Sequence, residues 1–350
     1  MKGKILILSA ACLVAACAKP FEVFYGETES LSDEKVFFSI TEDSEFFVDT
    51  LSEGYQPTKV VTATSLPSFK AACTKGAPGS EHTSVWNNVA FTDNGSGTFL
   101  GGQYWPHSDQ GYNFYAVAAT DVSDAVSGPA LAAQAPAMTF SPAGTTITTT
   151  GGTQDVVCAY LPYKSGTIGV PETEKAIYKT CNGLTFEHIY SRLSTVTVST
   201  DALYCVYNVT VWLVNAKTGG TYNLRTGKSR TDGTGWSSLT PTTDADTQIY
   251  RNSGSIAVSS GHVGDNNNIY VVPGSYYLKA SWTATIDDPL TTDPYIQTYS
   301  GVVSSTPVSL QGGKVNALSV TLSGNATELT FSVSVLPWTY NEVGDVGFNH

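Results

Sequence analysis

Positive charge is scarce in this chain: 18 Lys and Arg stand against 30 Asp and Glu in 350 residues, a net charge of −12. Phosphate backbones and anionic lipid surfaces are held by clustered Lys and Arg, so no nucleic acid is expected among its partners. Methionine is down to 2 residues, and the helix formers give way to Thr, Ser, Gly and Tyr. With charged residues at 14% and aromatics at 11%, this is the composition of extracellular β-structure. Histidines occur at 82, 107, 188, 262 and 350, none spaced as a metal pair or set beside a nucleophile. Also missing are a Gly-x-Ser-x-Gly elbow, a His-Glu-x-x-His helix, a phosphate-binding Gly-Lys loop and a dinucleotide fingerprint. The acidic turns Asp93-Asn94-Gly95 and Asp244-Ala245-Asp246 lack the ligand spacing and closing Glu of a calcium loop, and turn formation explains them. Neither an enzyme nor a cofactor or metal is therefore expected.

Long apolar runs are missing too, except at the start. Lys2 and Lys4 precede Ile5-Leu6-Ile7-Leu8, and the run continues to Leu13-Val14-Ala15-Ala16-Cys17. That is a secretion signal, too short to remain as a spanning helix. Small residues before Cys17 fit a signal peptidase cleft, and the thiol can accept a diacylglycerol; Cys12 lies too deep in the apolar segment to serve. The expectation is that residues 1–16 are removed and Cys17 becomes the lipidated first residue, tethering the protein to the outer membrane. Each buried acyl methylene adds about 0.8 kcal/mol, so a fully acylated Cys17 is a durable anchor. Loss of Lys2 and Lys4 with the leader takes the net charge from −12 to −14. Four other cysteines remain after export, Cys73, Cys158, Cys181 and Cys205, which allow three pairings. Cys158 and Cys205 sit in apolar runs, so buried thiols are as good an expectation as bridges.

Period-two alternation dominates the rest. In residues 329–335 every odd position is apolar and every even one carries a hydroxyl, the mark of a half-buried strand. The same pattern runs through Leu203, Cys205, Tyr207, Val209, Val211 and Leu213, through Tyr276, Leu278 and Ala280, and through Leu318, Val320 and Leu322. Turn chemistry separates the runs at Asp93-Asn94-Gly95, Gly151-Gly152, Gly219-Gly220, Pro273-Gly274 and Gly312-Gly313. No apolar stripe of helical period exceeds two turns. The predicted fold is all-β, in antiparallel sandwiches. Gly, Pro, Lys and Glu interrupt the strands between residues 165 and 182, which predicts domains over 17–177 and 178–350. A Gly-, Thr- and Asp-rich stretch over 226–246 predicts a long surface loop. Of the six tryptophans, at 86, 105, 212, 236, 282 and 338, most are expected in the core, and Trp236 is the one expected at the surface. Glu187 and His188 adjoin on a predicted strand, point to opposite faces and cannot share a proton transfer; a packed or hydrogen-bonded His188 is expected.

Several phrases occur in a particular order: Trp86-Asn87-Asn88-Val89, Tyr104-Trp105-Pro106, Phe114-Tyr115-Ala116, then Asp155-Val156-Val157-Cys158-Ala159. Leu184-Thr185-Phe186-Glu187-His188 with Arg192-Leu193 follows, and the chain closes with Gly313-Lys314 and Val333-Ser334-Val335-Leu336-Pro337-Trp338. In this order they resemble the fimbrillin-like family of Bacteroidales surface lipoproteins, whose characterised members are subunits of type V pili. The resemblance spans most of the exported chain. It implies two transthyretin-like antiparallel β-sandwich domains in tandem, lipoprotein export, and partner pilus subunits joined by β-strand addition after a protease removes a first strand. Read directly, the phrases are core and corner residues: a Trp-Pro step cannot continue a central strand and marks a strand's start or end, and Phe114 and Ala116 share one face of the next strand.

Val36, Phe38 and Ile40 alternate on one face of a short apolar run, which makes this run the candidate removable strand. Lys59 is the candidate cleavage site. Family members are often matured after arginine, but the first arginine here is Arg192, so arginine-specific removal of an N-terminal strand is excluded; Lys35 and Lys70 remain with Lys59 as basic alternatives. A strand that stays in place permanently, as in an anchor or a monomeric surface protein, is the competing expectation. The tail over 339–350 is a second donor candidate, weakened by Gly344 and Gly347. The alternative function is a monomeric glycan-binding surface lipoprotein, with a host or glycan ligand held on exposed aromatics.

Overall fold

The computed structural model describes residues 31–40, 66, 68–75, 83–106, 112–121, 135–141, 144–150, 154–162, 182–200, 205–256, 261–264, 269–286, 295–322 and 329–337. Cys17, Lys59, Cys181 and the tail after Pro337 lie outside these residues. Among them there is no helix, and the all-β expectation holds. In chain order the strands are β1 Leu31–Ile40, β2 Ser68–Lys75, β3 Thr83–Asp93, β4 Thr98–Pro106, β5 Tyr112–Asp121, β6 Met138–Ser141, β7 Gly144–Thr149, β8 Gln154–Pro162, β9 Asn182–Leu184, β10 Glu187–His188 and β11 Ser191–Thr200. They continue with β12 Cys205–Leu213, β13 Gly219–Asn223, β14 Trp236–Thr240, β15 Thr247–Asn252, β16 His262–Val263, β17 Ile269–Val271, β18 Gly274–Tyr276, β19 Leu278–Ile286, β20 Tyr295–Val303, β21 Val308–Leu310, β22 Lys314–Leu322 and β23 Leu329–Pro337.

The largest sheet has the order β10-β8-β5-β2-β3-β4-β1-β9. Its two outermost strands, β9 and β10, are separated in sequence only by Thr185 and Phe186. The segment 182–188 therefore reaches from one end of the sheet to the other, and the sheet curls round its own core. That core is aromatic: Phe38, Phe69, Phe91, Phe99, Phe114 and Phe186 are all buried in it. Of the two places a Trp-Pro step can mark, it is the end of a strand: β4 stops at Pro106, where proline has no N–H to continue a ladder.

From Tyr112 to Ala119, β5 is buried at every residue, which a half-buried strand cannot be. Tyr112, Phe114, Ala116 and Ala118 face the aromatic core, while Tyr115, Val117 and Ala119 face a second core with Met138, Ile147, Tyr190, Tyr222 and Leu224. Burial on both faces replaces alternation by a continuous apolar run. A small sheet, β14-β13-β7-β6, supplies Met138, Ile147 and Tyr222 to this second core, and so unites strands from both sides of residue 178. Gly219 begins β13 instead of making the predicted turn. A Cβ there would lie 2.3 Å from the Thr149 carbonyl oxygen, so only glycine allows β13 to run this close to β7.

Most of the remaining strands form two facing sheets, β16-β11-β22-β23 and β15-β12-β19-β20, round a third core; β17 pairs with β11 beside β16, and β18 pairs with β21 in a two-stranded ribbon. β11 and β22 run parallel and the other named pairs of these two sheets antiparallel. Trp282 is 1% exposed and stacks on Tyr299 at 4.8 Å between ring centres. The alternation over 203–213 is broken by a bulge. Asn208 takes a positive φ of 52°, and the register with β19 shifts between Tyr207 and Thr210. Val209, Val211 and Leu213 point inward as expected, but ahead of the bulge Val206 takes the inward place and Cys205 and Tyr207 are only half-buried.

Candidate functional site

The candidate removable strand is not at an edge. β1 pairs antiparallel with β4, from Leu31 opposite Pro106 to Ser39 opposite Thr98. On its other side it runs parallel to β9, with Phe38, Ser39 and Ile40 opposite Asn182, Gly183 and Leu184. Val36 is 1% exposed and Phe38 0%. The Phe38 ring stands edge-on to Phe91 at 4.9 Å, Phe114 at 5.3 Å and Phe69 at 6.1 Å. Full burial of a phenylalanine stabilises by about 1.5–3 kcal/mol, with about 0.5–1.5 kcal/mol more for a well-set ring pair. Taking β1 away would leave unpaired backbone groups on β4 and β9 and uncover Phe69, Phe91 and Phe114. The geometry is that of an apolar groove between two open ladders.

The segment that seals β1 on its far side, 182–190, is fastened at several points. Leu184 and Phe186 are 0% exposed in the aromatic core. His188 Nδ1 and Asp155 Oδ2 meet at 2.7 Å, both buried, and tie β10 to β8. Glu187 points the other way, as alternation requires: its carboxylate accepts from the Ser229 backbone N–H at 2.6 Å and from the Ser229 hydroxyl at 2.9 Å. Gly313 N–H donates to the Tyr190 carbonyl at 2.8 Å. Thus Leu184-Thr185-Phe186-Glu187-His188, one of the phrases that carries the resemblance, is the closing strap of the sheet. Sequence reasoning foresaw a hydrogen-bonded His188 but not its partner, because Asp155 is 33 residues away and ladder register alone brings them together.

The expectation of an exposed Trp236 is overturned. It is half-buried, 5.0 Å from Tyr190 and 5.1 Å from Tyr222, and packs on the second core. The stretch 226–246 is likewise not one loop, since it contains β14, which pairs with β13. Its Gly and Thr residues make tight turns under Asn223, whose side-chain oxygen accepts from the N–H groups of Arg225 and Thr226. Trp212 points outward, because its neighbours Val211 and Leu213 fill the core, and Lys279 Nζ lies 5.3 Å from its ring centre.

Cys73 is buried, and Cys158 and Cys205 are free thiols. Burial pushes the Cys158 thiol well above its ordinary pKa, with Asp155 and Glu187 adding in the same direction. Only the thiolate is nucleophilic, so Cys158 should resist maleimide in the folded protein and label fully in urea, whereas half-exposed Cys205 should label in both. Peptide mass analysis of the two samples checks this; rapid native labelling of Cys158 would contradict the packing described. Among the described residues no group of three or more His, Cys, Asp or Glu is placed to hold a metal ion.

No protein-family model matches the chain. Nor does any curated protein match it. Solved structures do. A fimbrial protein from Bacteroides vulgatus aligns over 88% of this chain and 100% of its own, with a TM-score of 0.55 at 12% identity. A candidate cell adhesion protein from Parabacteroides distasonis aligns over 87% of this chain and 96% of its own, with a TM-score of 0.47 at 11% identity. The chain thus shares its all-β fold, along nearly its whole length, with the Bacteroides vulgatus fimbrial protein.

Proposed function

We propose that this chain is a structural or adhesive subunit of a cell-surface fimbria. In this reading it is exported as a lipoprotein, acylated at Cys17 and held in the outer membrane, and it comprises two transthyretin-like sandwich units over 17–177 and 178–350. Segment 182–188 then belongs by sequence to the second unit while pairing β1 and β8 of the first. The fold shared with a fimbrial protein supports the reading, as does the export signal. One observation carries the mechanism: β1, the first of the described strands, with Val36 and Phe38 fully buried, is a core element that precedes Lys59 in the chain while every other described strand follows it. Cleavage there would free β1 to leave. A neighbour's extended segment would then satisfy both open ladders and refill the aromatic groove, so that subunits join head to tail.

The test is a chain beginning at residue 60, studied with a synthetic peptide of residues 31–40. The expected result is that the shortened chain is recovered as a ladder of multimers and that the peptide, added during refolding, returns it to the size distribution of the intact chain at the same concentration. A shortened chain that stays a folded monomer and ignores the peptide would remove strand addition. The glycan-binding reading, with outward-facing Trp212 as its first aromatic, would then take its place.

A further inference from the structure

Among the described residues the two facing sheets of the C-terminal half end in five edge strands, β16 and β17 sharing one edge on β11, and four of them are blunted. β16 has two residues and β17 three. β15 carries Arg251 and a register shift opposite Val211 and Trp212. β20 is bent by a bulge at Gly301, where φ is +66° and the register with β19 shifts between Ala280 and Trp282. Short edges, charges and bulges are the usual defences against pairing with another chain. β23 has none of them. It pairs with β22 over nine residues, from Lys314 opposite Pro337 to Leu322 opposite Leu329, with no register shift and no charged residue. Its inward side chains are incompletely covered: Phe331 and Val333 are half-buried and Val335 is 38% exposed, and Tyr299 and Val302 on facing β20 are half-buried against the same core.

We propose that β23 is the seat of an isologous dimer, in which β23 of one copy pairs antiparallel with β23 of a second copy about a twofold axis at Ser332. The sequence of the strand selects a second copy. Residues 329–335 read apolar at each odd position and hydroxylated at each even one, in either direction. Antiparallel pairing centred on Ser332 sets Phe331 beside Val333 of the second copy and Thr330 beside its Ser334. Apolar residues then meet on the core side and hydroxyls on the solvent side, and the two β22-β23 ladders merge into one sheet. Charge points the same way. Two copies of the exported chain, each at net charge −14 once Lys2 and Lys4 leave with the leader, repel, and an uncharged strand is where they approach at least cost.

The experiment uses the full-length exported chain with Cys17→Ala, neither acylated nor proteolysed, so that β1 stays in place and the outcome is independent of strand release. Sedimentation velocity over a concentration series should show a monomer–dimer equilibrium. Ser332→Lys, at an exposed position that sets two ammonium groups face to face, should weaken dimerisation by about tenfold or more. Ser300→Lys on β20 should leave it unchanged. Opposed residues of an antiparallel pair lie about 4.5–5.5 Å apart at Cα, within disulfide range, so Ser332→Cys should give a covalent dimer on mild oxidation while Ser300→Cys does not. A chain that is monomeric throughout overturns the proposal, as do dimers indifferent to both Ser332 variants. Dimers that form only when residues 338–350 are deleted also overturn it, and make the chain's own tail the occupant of the edge.

Discussion

Phe38→Ala is expected to lower stability by about 3–5 kcal/mol, the range for truncating a fully buried aromatic. The cost is at the high end for a mechanical reason. Phe38 stands edge-on to three rings held by different strands, Phe69 on β2, Phe91 on β3 and Phe114 on β5. These rings also pack on one another, with Phe69 and Phe91 stacked at 5.8 Å, so they cannot all move into the space one ring leaves. Urea denaturation measures the loss. Leu100→Ala on neighbouring β4, 45% exposed, is the control and should change stability by no more than about 0.5 kcal/mol. The same truncation weakens the hold on β1, so trypsin should release that strand faster from the variant. An unchanged denaturation midpoint would mean that β1 is not part of the core.

His188→Ala is expected to cost about 3–5 kcal/mol, because it leaves the Asp155 carboxyl buried without the imidazole that faces it. Both side chains are almost wholly enclosed, so bulk solvent does not reach the carboxyl. A double replacement, Asp155→Leu with His188→Leu, should recover most of the loss, since exchanging a buried polar pair for packed apolar groups is often close to neutral. Denaturation of the two single variants and the double variant closes the cycle, and a coupling below about 0.5 kcal/mol would contradict the assignment. Hydrogen exchange gives the functional reading. β10 is tied to β8 by this pair, β9 immediately precedes β10, and β9 covers β1, so amides of β1 should exchange faster in His188→Ala.

Much of the fold was legible in the sequence because half-buried strands write their burial as alternation. Leu318, Val320 and Leu322 of β22 are buried as their pattern requires, and Val36 and Phe38 lie inward as their spacing implies. Where the signal failed, a physical reason can be named. In β12 a bulge at Asn208 changes which residues face inward, and one positive φ leaves no mark in a hydrophobicity pattern. β5 shows no alternation because a second layer covers its outer face. Trp236 sits among residues that favour loops, yet Tyr190 and Tyr222 reach it from elsewhere in the chain. The strap was half legible. Leu184 and Phe186 are plainly core residues, but the contacts of His188 with Asp155 and of Glu187 with Ser229 depend on separations of 33 and 42 residues that no local window contains. The small sheet that joins β7 to β13 was hidden for the same reason: sequence suggests divisions where composition changes, and pairing can cross them.

The central claim is that β1 is a removable strand whose departure lets subunits join. Limited trypsin digestion of the unlipidated chain tests it most directly, with intact mass and native size distribution read from the same sample. The account predicts a fragment beginning at Val60 together with a shift of the material into a ladder of multimers. A chain that resists cleavage between β1 and β2, or loses β1 and remains monomeric, would contradict it.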